Sequence, residues 1–105
     1  MRNEVSVLKL NEIIDEIFDI ASAIEYNTIS YFHPLLVSAR NEAKPEDLLL
    51  AIAAPIKQDI TNGVPISKAR ITEALKALKK IGQHYRIEEL KKLTKNLEAY
   101  LDGLN

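Results

Sequence analysis

Apolar side chains recur every three to four residues in five separate segments of this sequence, which is the spacing of a buried helix face. In the first segment, residues 8–24, the stripe consists of Leu10, Ile13, Ile14, Ile17, Ile20, Ala21 and Ile24. The alternation of period two that marks strands is absent, and aromatic residues make up only 6% of the chain. The sequence therefore predicts an all-α fold.

The second and third segments each contain a proline that constrains how a helix can begin. In the second, Pro34 leaves two alternatives open: a helix that begins near it after an irregular stretch 26–33, or a kinked helix begun at Thr28. The third segment begins with Pro45 at a favoured first helical position, and Pro55 is expected to bend this helix. The stripe of the second segment comprises Ile29, Phe32, Leu35, Leu36 and Ala39.

Residues 61–86 carry the clearest boundary signals. Gly63 can take the left-handed conformation and Pro65 cannot continue a helix, so the third helix should end here. Ser67 is then expected to cap a helix over residues 68–81. Gly82 should end this helix, although the residues leave open whether it breaks or only bends the path into a last helix over 86–104.

These amphipathic segments with short connections favour one domain, residues 1–105, folded as an antiparallel up-and-down four-helix bundle. Whether the last helix of this bundle is split near Gly82 stays open. No apolar stretch approaches the roughly 18 residues that a membrane span requires. The chain has no cysteine, and we expect it to be cytoplasmic.

The two parts of the chain differ strongly in charge. Residues 1–63 contain ten acids and five bases (net −5), whereas residues 64–105 contain nine bases and five acids (net +4). Two explanations stay open: complementary helices that pack within one bundle, or a basic face that binds an anionic partner, the membrane surface included.

Residue patterns that would support catalysis are not found. His33 and His84 have no partner at metal-binding or catalytic spacing, which also weighs against a phosphotransfer bundle, and the chain has no glycine-rich phosphate loop. We therefore expect a non-enzymatic protein without catalytic residues, metal or cofactor. Residues 53–78 faintly resemble a helix-turn-helix, but Pro55 and an isoelectric point near 6.1 weigh against nucleic-acid binding.

The order of these motifs resembles a known family. The second half of the family's sequences is similar to the following residues of this chain: Lys44-Pro45-x-x-Leu48, Ile52, Ile56, Asn62-Gly63-x-x-Ile66-Ser67, Leu75, Leu78, Ile81-Gly82 and Ile87. The first half of the family's sequences is similar to residues 11–17 and to Tyr31-Phe32-x-x-Leu35-Leu36. The family is the enterocin A immunity family, small cytosolic proteins that protect bacteria from pediocin-like bacteriocins.

The resemblance implies a bundle that acts by binding. Members are thought to recognise the membrane-embedded mannose phosphotransferase permease with bound bacteriocin from the cytosolic side, in part at the inner face of the membrane. The C-terminal half of these proteins governs which bacteriocin is countered. In this chain the corresponding surface would comprise Lys76, Lys79, Lys80, Arg86, Lys91, Lys92 and Lys95.

An alternative from another class is a soluble regulatory module that binds a second protein through a helix groove. Dimerisation through the leucine stripe of residues 90–104 would favour it.

Overall fold

The computed structural model describes residues 2–29 and 44–104, with side chains from residue 7 onward in the first of these ranges. Four helices make up the described ranges, which contain no strand: α1 (Arg2–Glu25), α2 (Pro45–Thr61), α3 (Lys68–His84) and α4 (Glu88–Asp102). The all-α prediction is confirmed. The predicted second stripe beyond Ile29, with His33 and Pro34, lies outside the described residues.

The starts of α2 and α3 follow their sequence signals. Pro45 occupies the first turn of α2, Pro55 lies within that helix, and the Ser67 side chain accepts a hydrogen bond from the Arg70 amide, as predicted. However, α1 begins at Arg2, six residues before the predicted start. Val7 and Leu8, the first residues of α1 whose side chains the structure describes, are exposed.

Three of the helices end in the same way, with a residue of positive φ followed by an amide that bonds back five residues. This left-handed residue is Asn27 after α1 (φ 62°), Gly63 after α2 (φ 71°) and Arg86 after α3 (φ 54°). The amides that bond back to a carbonyl oxygen are those of Thr28 to Ala23, Val64 to Asp59, and Ile87 to Gly82.

The prediction that Gly82 ends a helix is wrong. Helix α3 continues through Gly82 to His84, and the break before α4 lies at Tyr85–Ile87, where Arg86 takes the left-handed conformation. Helix α4 consequently begins at Glu88, two residues later than predicted, and ends at Asp102.

The helices form the predicted antiparallel four-helix bundle. Lys57 of α2 bonds to Asn11 and Asp15 of α1. Ile60, which follows Lys57 in α2, lines a pocket with Val7 and Leu10, which precede Asn11 in α1. The two helices are therefore antiparallel. Contacts join α1 to α2, α2 to α3, α3 to α4, and α4 back to α1, whereas within the described residues no Cα atom of α1 lies within 8 Å of one of α3. The bundle is therefore a ring in which α1 and α3 are diagonal.

Every predicted stripe residue of α1 is buried, and the leucines of α4 complete the same core. Leu90, Leu93, Leu97 and Leu101 are each at most 7% exposed. The leucine stripe of α4 thus packs inside this bundle, which weighs against its use as a dimer interface.

Candidate functional site

A shallow groove of about 340 Å³ runs between α3 and α4 on the outside of the bundle. It exists because the two helices approach closely where α3 has no side chain: a Cβ atom on Gly82 would lie 3.2 Å from the Cβ of Leu90. Leu78 and Leu90 are buried beneath it, and most of the surface that the groove exposes is apolar, which we call its apolar floor. We call this feature the α3–α4 groove. Its lining is Leu78, Lys79, Gly82, Gln83, Leu90, Lys91, Thr94, Lys95 and Glu98.

The rim of the α3–α4 groove is basic. Three lysines and one glutamate line it, which leaves a net charge of +2. The Lys79 Nζ lies 2.9 Å from Glu98 Oε2 across the groove, and the Lys91 Nζ lies 3.2 Å from Glu88 Oε1 within α4. Lys95 makes no ion pair with any residue that the structure describes. The Lys79–Glu98 pair is about half exposed and the Lys91–Glu88 pair is largely exposed, so water competes for both and they hold their lysines only weakly.

The structure brings together only part of the predicted basic surface. Of its seven residues, Lys79, Lys91 and Lys95 line the groove. Lys76 and Lys80 are exposed one turn apart on α3 outside it, and Lys76 lies 3.6 Å from Glu73. Arg86 belongs to the turn that joins the helices.

Lys92 is the clearest departure from the predicted surface. It lines a separate depression of about 260 Å³ against α1, together with Glu16, Asp19, Ile20 and Glu89. Adjacent residues on a helix point about 100° apart. Lys91 and Lys92 therefore lie on different sides of α4: Lys91 on the basic side at the groove, and Lys92 on the acidic side toward α1.

Sequence reasoning missed Gly82, Gln83 and Thr94 as parts of the site. The sequence prediction takes Gly82 as a helix end, although a glycine between buried positions of one helix is also a signal of close backbone approach. The Thr94 hydroxyl donates to the Lys91 carbonyl oxygen at 3.0 Å, which keeps this polar side chain satisfied at the edge of the core.

A second depression, of about 440 Å³, lies at the end of the bundle where α1 begins and α4 ends. Apolar residues of α1, of the α2–α3 turn and of α4 line it, among them Val7, Ile60, Ile66 and Leu104. Tyr100 supplies a phenol there, and burial raises the pKa of that phenol above its ordinary value of 10.0.

The structure also gives the contacts of the residues that the sequence suggests for metal or nucleic-acid binding. The His84 ring packs edge-on against Tyr85, with centroids 4.7 Å apart. Arg70, which the helix-turn-helix interpretation would expose, bonds to Asp59 of α2. No three histidine, aspartate or glutamate side chains in the described ranges gather as metal ligands would. The α3–α4 groove, by contrast, is chemically suited to holding an anionic group beside an apolar one.

None of the four helices, as far as the structure describes them, is both long and apolar enough to cross a bilayer. Comparison with known proteins adds no relative: no family model, no curated protein and no solved structure matches this chain. The likeness to the enterocin A immunity family therefore rests on the sequence pattern alone and stays a prediction.

Proposed function

We propose that this chain is a bacteriocin immunity protein that acts by binding, and that the α3–α4 groove is its recognition surface. The observation that carries the proposal is the convergence of Lys79, Lys91 and Lys95 around an apolar floor. This groove lies on the pair of helices to which the family resemblance assigns specificity. The four-helix bundle agrees with the same resemblance.

In this proposal the partner is the membrane-embedded mannose phosphotransferase permease with bound bacteriocin, met from the cytosolic side. The protein is then cytoplasmic and in part at the inner face of the membrane. Anionic lipids near the permease would add about 1 kcal/mol for each lysine close to the surface. Binding, rather than chemistry, closes the pore.

The first test is protection. The chain is expressed in a strain sensitive to pediocin-like bacteriocins, and growth inhibition is measured against a panel of them. We expect resistance to one bacteriocin or a small group. Sensitivity to the whole panel, with the protein folded and abundant, would overturn the proposed function.

A matched pair of triple variants tests the surface. Lys79, Lys91 and Lys95 are replaced by glutamine in one variant, and Lys76, Lys80 and Lys92 in the other. Both variants lose three positive charges, but only the first alters the α3–α4 groove. We expect the first to lose protection and the second to keep it. Equal protection by the two would show that the groove is not the recognition surface.

A further inference from the structure

This inference rests on the proposed function and names the chemistry of the partner at the same groove. We infer that the α3–α4 groove binds a short extended protein segment in which acidic residues flank one aliphatic side chain, and that this side chain lies over Gly82.

The apolar part of the inference comes from the floor of the groove. The surface that the groove exposes is mostly apolar. It belongs to the residues above Leu78 and Leu90, which are themselves 0% and 1% exposed, and Gly82 has no side chain to fill the space between the helices. A volume of about 340 Å³ is within the range of small ligand pockets, which begins at about 300 Å³. A charged group alone, such as inorganic phosphate, would use the lysines and leave this floor uncovered.

The acidic part comes from the rim. Lys95 has no ion pair within the described residues, and the partners of Lys79 and Lys91 are a half-buried and an exposed glutamate, Glu98 and Glu88, which a ligand carboxylate can displace. The side chains of the Lys79–Glu98 pair are 45% and 46% exposed, so water already competes for both of them. A basic segment would instead meet three like charges.

The length of the groove favours an extended segment of four to five residues. The lining of α4 runs from Leu90 to Glu98, which is about 12 Å along a helix axis. An extended chain covers about 3.3 Å per residue, and its successive side chains point to opposite sides. When a central aliphatic side chain points at Gly82, the acidic side chains two positions before and after it therefore point to the same side of the segment, toward the lysine amines at the rim. The exposed amide of Gln83 is placed to bond to the backbone of such a segment.

The probe is the pentapeptide Glu-Asp-Leu-Asp-Glu, acetylated and amidated, titrated into the ¹⁵N-labelled chain and followed by amide chemical shifts. Two matched peptides carry serine in place of leucine, or amides in place of all four acids. We expect saturable shifts centred on Gly82, Gln83, Leu90 and Lys95. The acidic leucine peptide should bind at least about tenfold more tightly than the serine peptide, because only leucine can cover the apolar floor.

Two single variants locate the charge. Lys95→Gln should weaken binding about two- to fivefold, whereas Lys92→Gln, the same change on the other side of α4, should leave it unchanged. Equal affinity for the leucine and serine peptides, equal effects of the two variants, or shifts spread over the whole surface would each overturn the inference. Phosphatidylglycerol vesicles are the alternative probe. If they shift the amides of the groove while none of the peptides does, the inference is overturned in favour of lipid.

The peptide experiment and the protection assay test different claims, so each can give a negative result without the other. Peptide binding without protection would retain the ligand chemistry and remove the immunity function. Protection without peptide binding would retain the function and remove this ligand.

Discussion

A Cβ atom added to Gly82 would lie 3.2 Å from the Cβ of Leu90, so the backbone of α3 is in near contact with α4 at this position. Two effects then oppose each other in Gly82→Ala. Alanine favours the helix by about 1 kcal/mol, while the short contact forces the helices apart. We expect the free energy of unfolding, measured by urea denaturation, to change by less than about 1 kcal/mol.

A larger side chain removes this balance. Gly82→Leu should lower the free energy of unfolding by about 1–3 kcal/mol through overpacking. Ala69→Leu adds a comparable side chain at an exposed position of α3 and should stay within about 0.5 kcal/mol of the parent chain. Similar losses in both variants would show that α3 and α4 do not approach closely at Gly82.

Gly63 tests the left-handed turn between α2 and α3 without any packing effect. Its φ is 71°, and an added Cβ would meet nothing within 4 Å. Gly63→Ala should therefore cost about 1 kcal/mol through backbone conformation alone. Gly63→Asn should cost less, because asparagine tolerates this conformation better, and equal urea midpoints for the two variants would contradict the left-handed turn.

Lys57 links α1 to α2 through its ammonium group, which donates to Asn11 Oδ1 at 2.7 Å and to Asp15 Oδ1 at 2.9 Å. A double-mutant cycle of Lys57→Met and Asp15→Ala should give a coupling energy of about 0.2–1 kcal/mol at low salt. The coupling should shrink in 1 M NaCl, where screening is strong.

The exposed pair of Lys76 and Glu73 is the control for this cycle. Its Nζ–Oε2 distance is 3.6 Å, against 2.9 Å for Lys57 and Asp15. Its coupling energy should be the smaller of the two. A Lys57–Asp15 coupling no larger than that of the control pair would argue against the described link between α1 and α2.

Tyr100 should make stability depend on pH in the alkaline range. Burial raises its folded pKa above the ordinary value of 10.0, so the folded chain keeps the phenol proton where the unfolded chain has lost it. The stability that this provides is complete below pH 10.0 and is lost as the pH rises through the folded pKa.

The measurement compares the parent chain with Tyr100→Phe by urea denaturation across this range. Their difference in unfolding free energy at pH 7 serves as the baseline. Above pH 10.0 we expect the parent chain to lose more stability than the variant. Parallel curves for the two proteins would mean that the phenol is not desolvated by folding.

Local signals were sufficient to predict much of the fold. Pro45, Ser67 and Gly63 each act within a few residues of their own position, and the structure uses each as expected. The predicted end of α3 is wrong because Arg86, rather than a glycine, takes the left-handed conformation. This conformation is unfavourable for arginine, so no residue pattern in the sequence indicates it. The apolar stripes were easier, since burial of one helix face repeats regularly along the chain.

The candidate site depended on information that periodicity does not contain. Lys79 and Lys95 line the same groove only because of the register between α3 and α4. That register is set by the contact of Gly82 with Leu90 and by the length of the turn around Arg86. Grouping lysines by their position in the sequence therefore joined Lys91 to Lys92, which the helix separates.

The diagonal arrangement of α1 and α3 gives the molecule a polarity that its net charge of −1 conceals. The exposed carboxylates of Glu12, Asp15, Glu16 and Asp19 lie on α1, while the α3–α4 groove carries a net charge of +2. At physiological salt, charges are screened over about 8 Å, which is less than the roughly 20 Å across two layers of helices. The anionic partner that we propose would therefore be attracted by one side of the bundle and repelled by the other, so that within about one screening length of the surface it would be turned toward the groove.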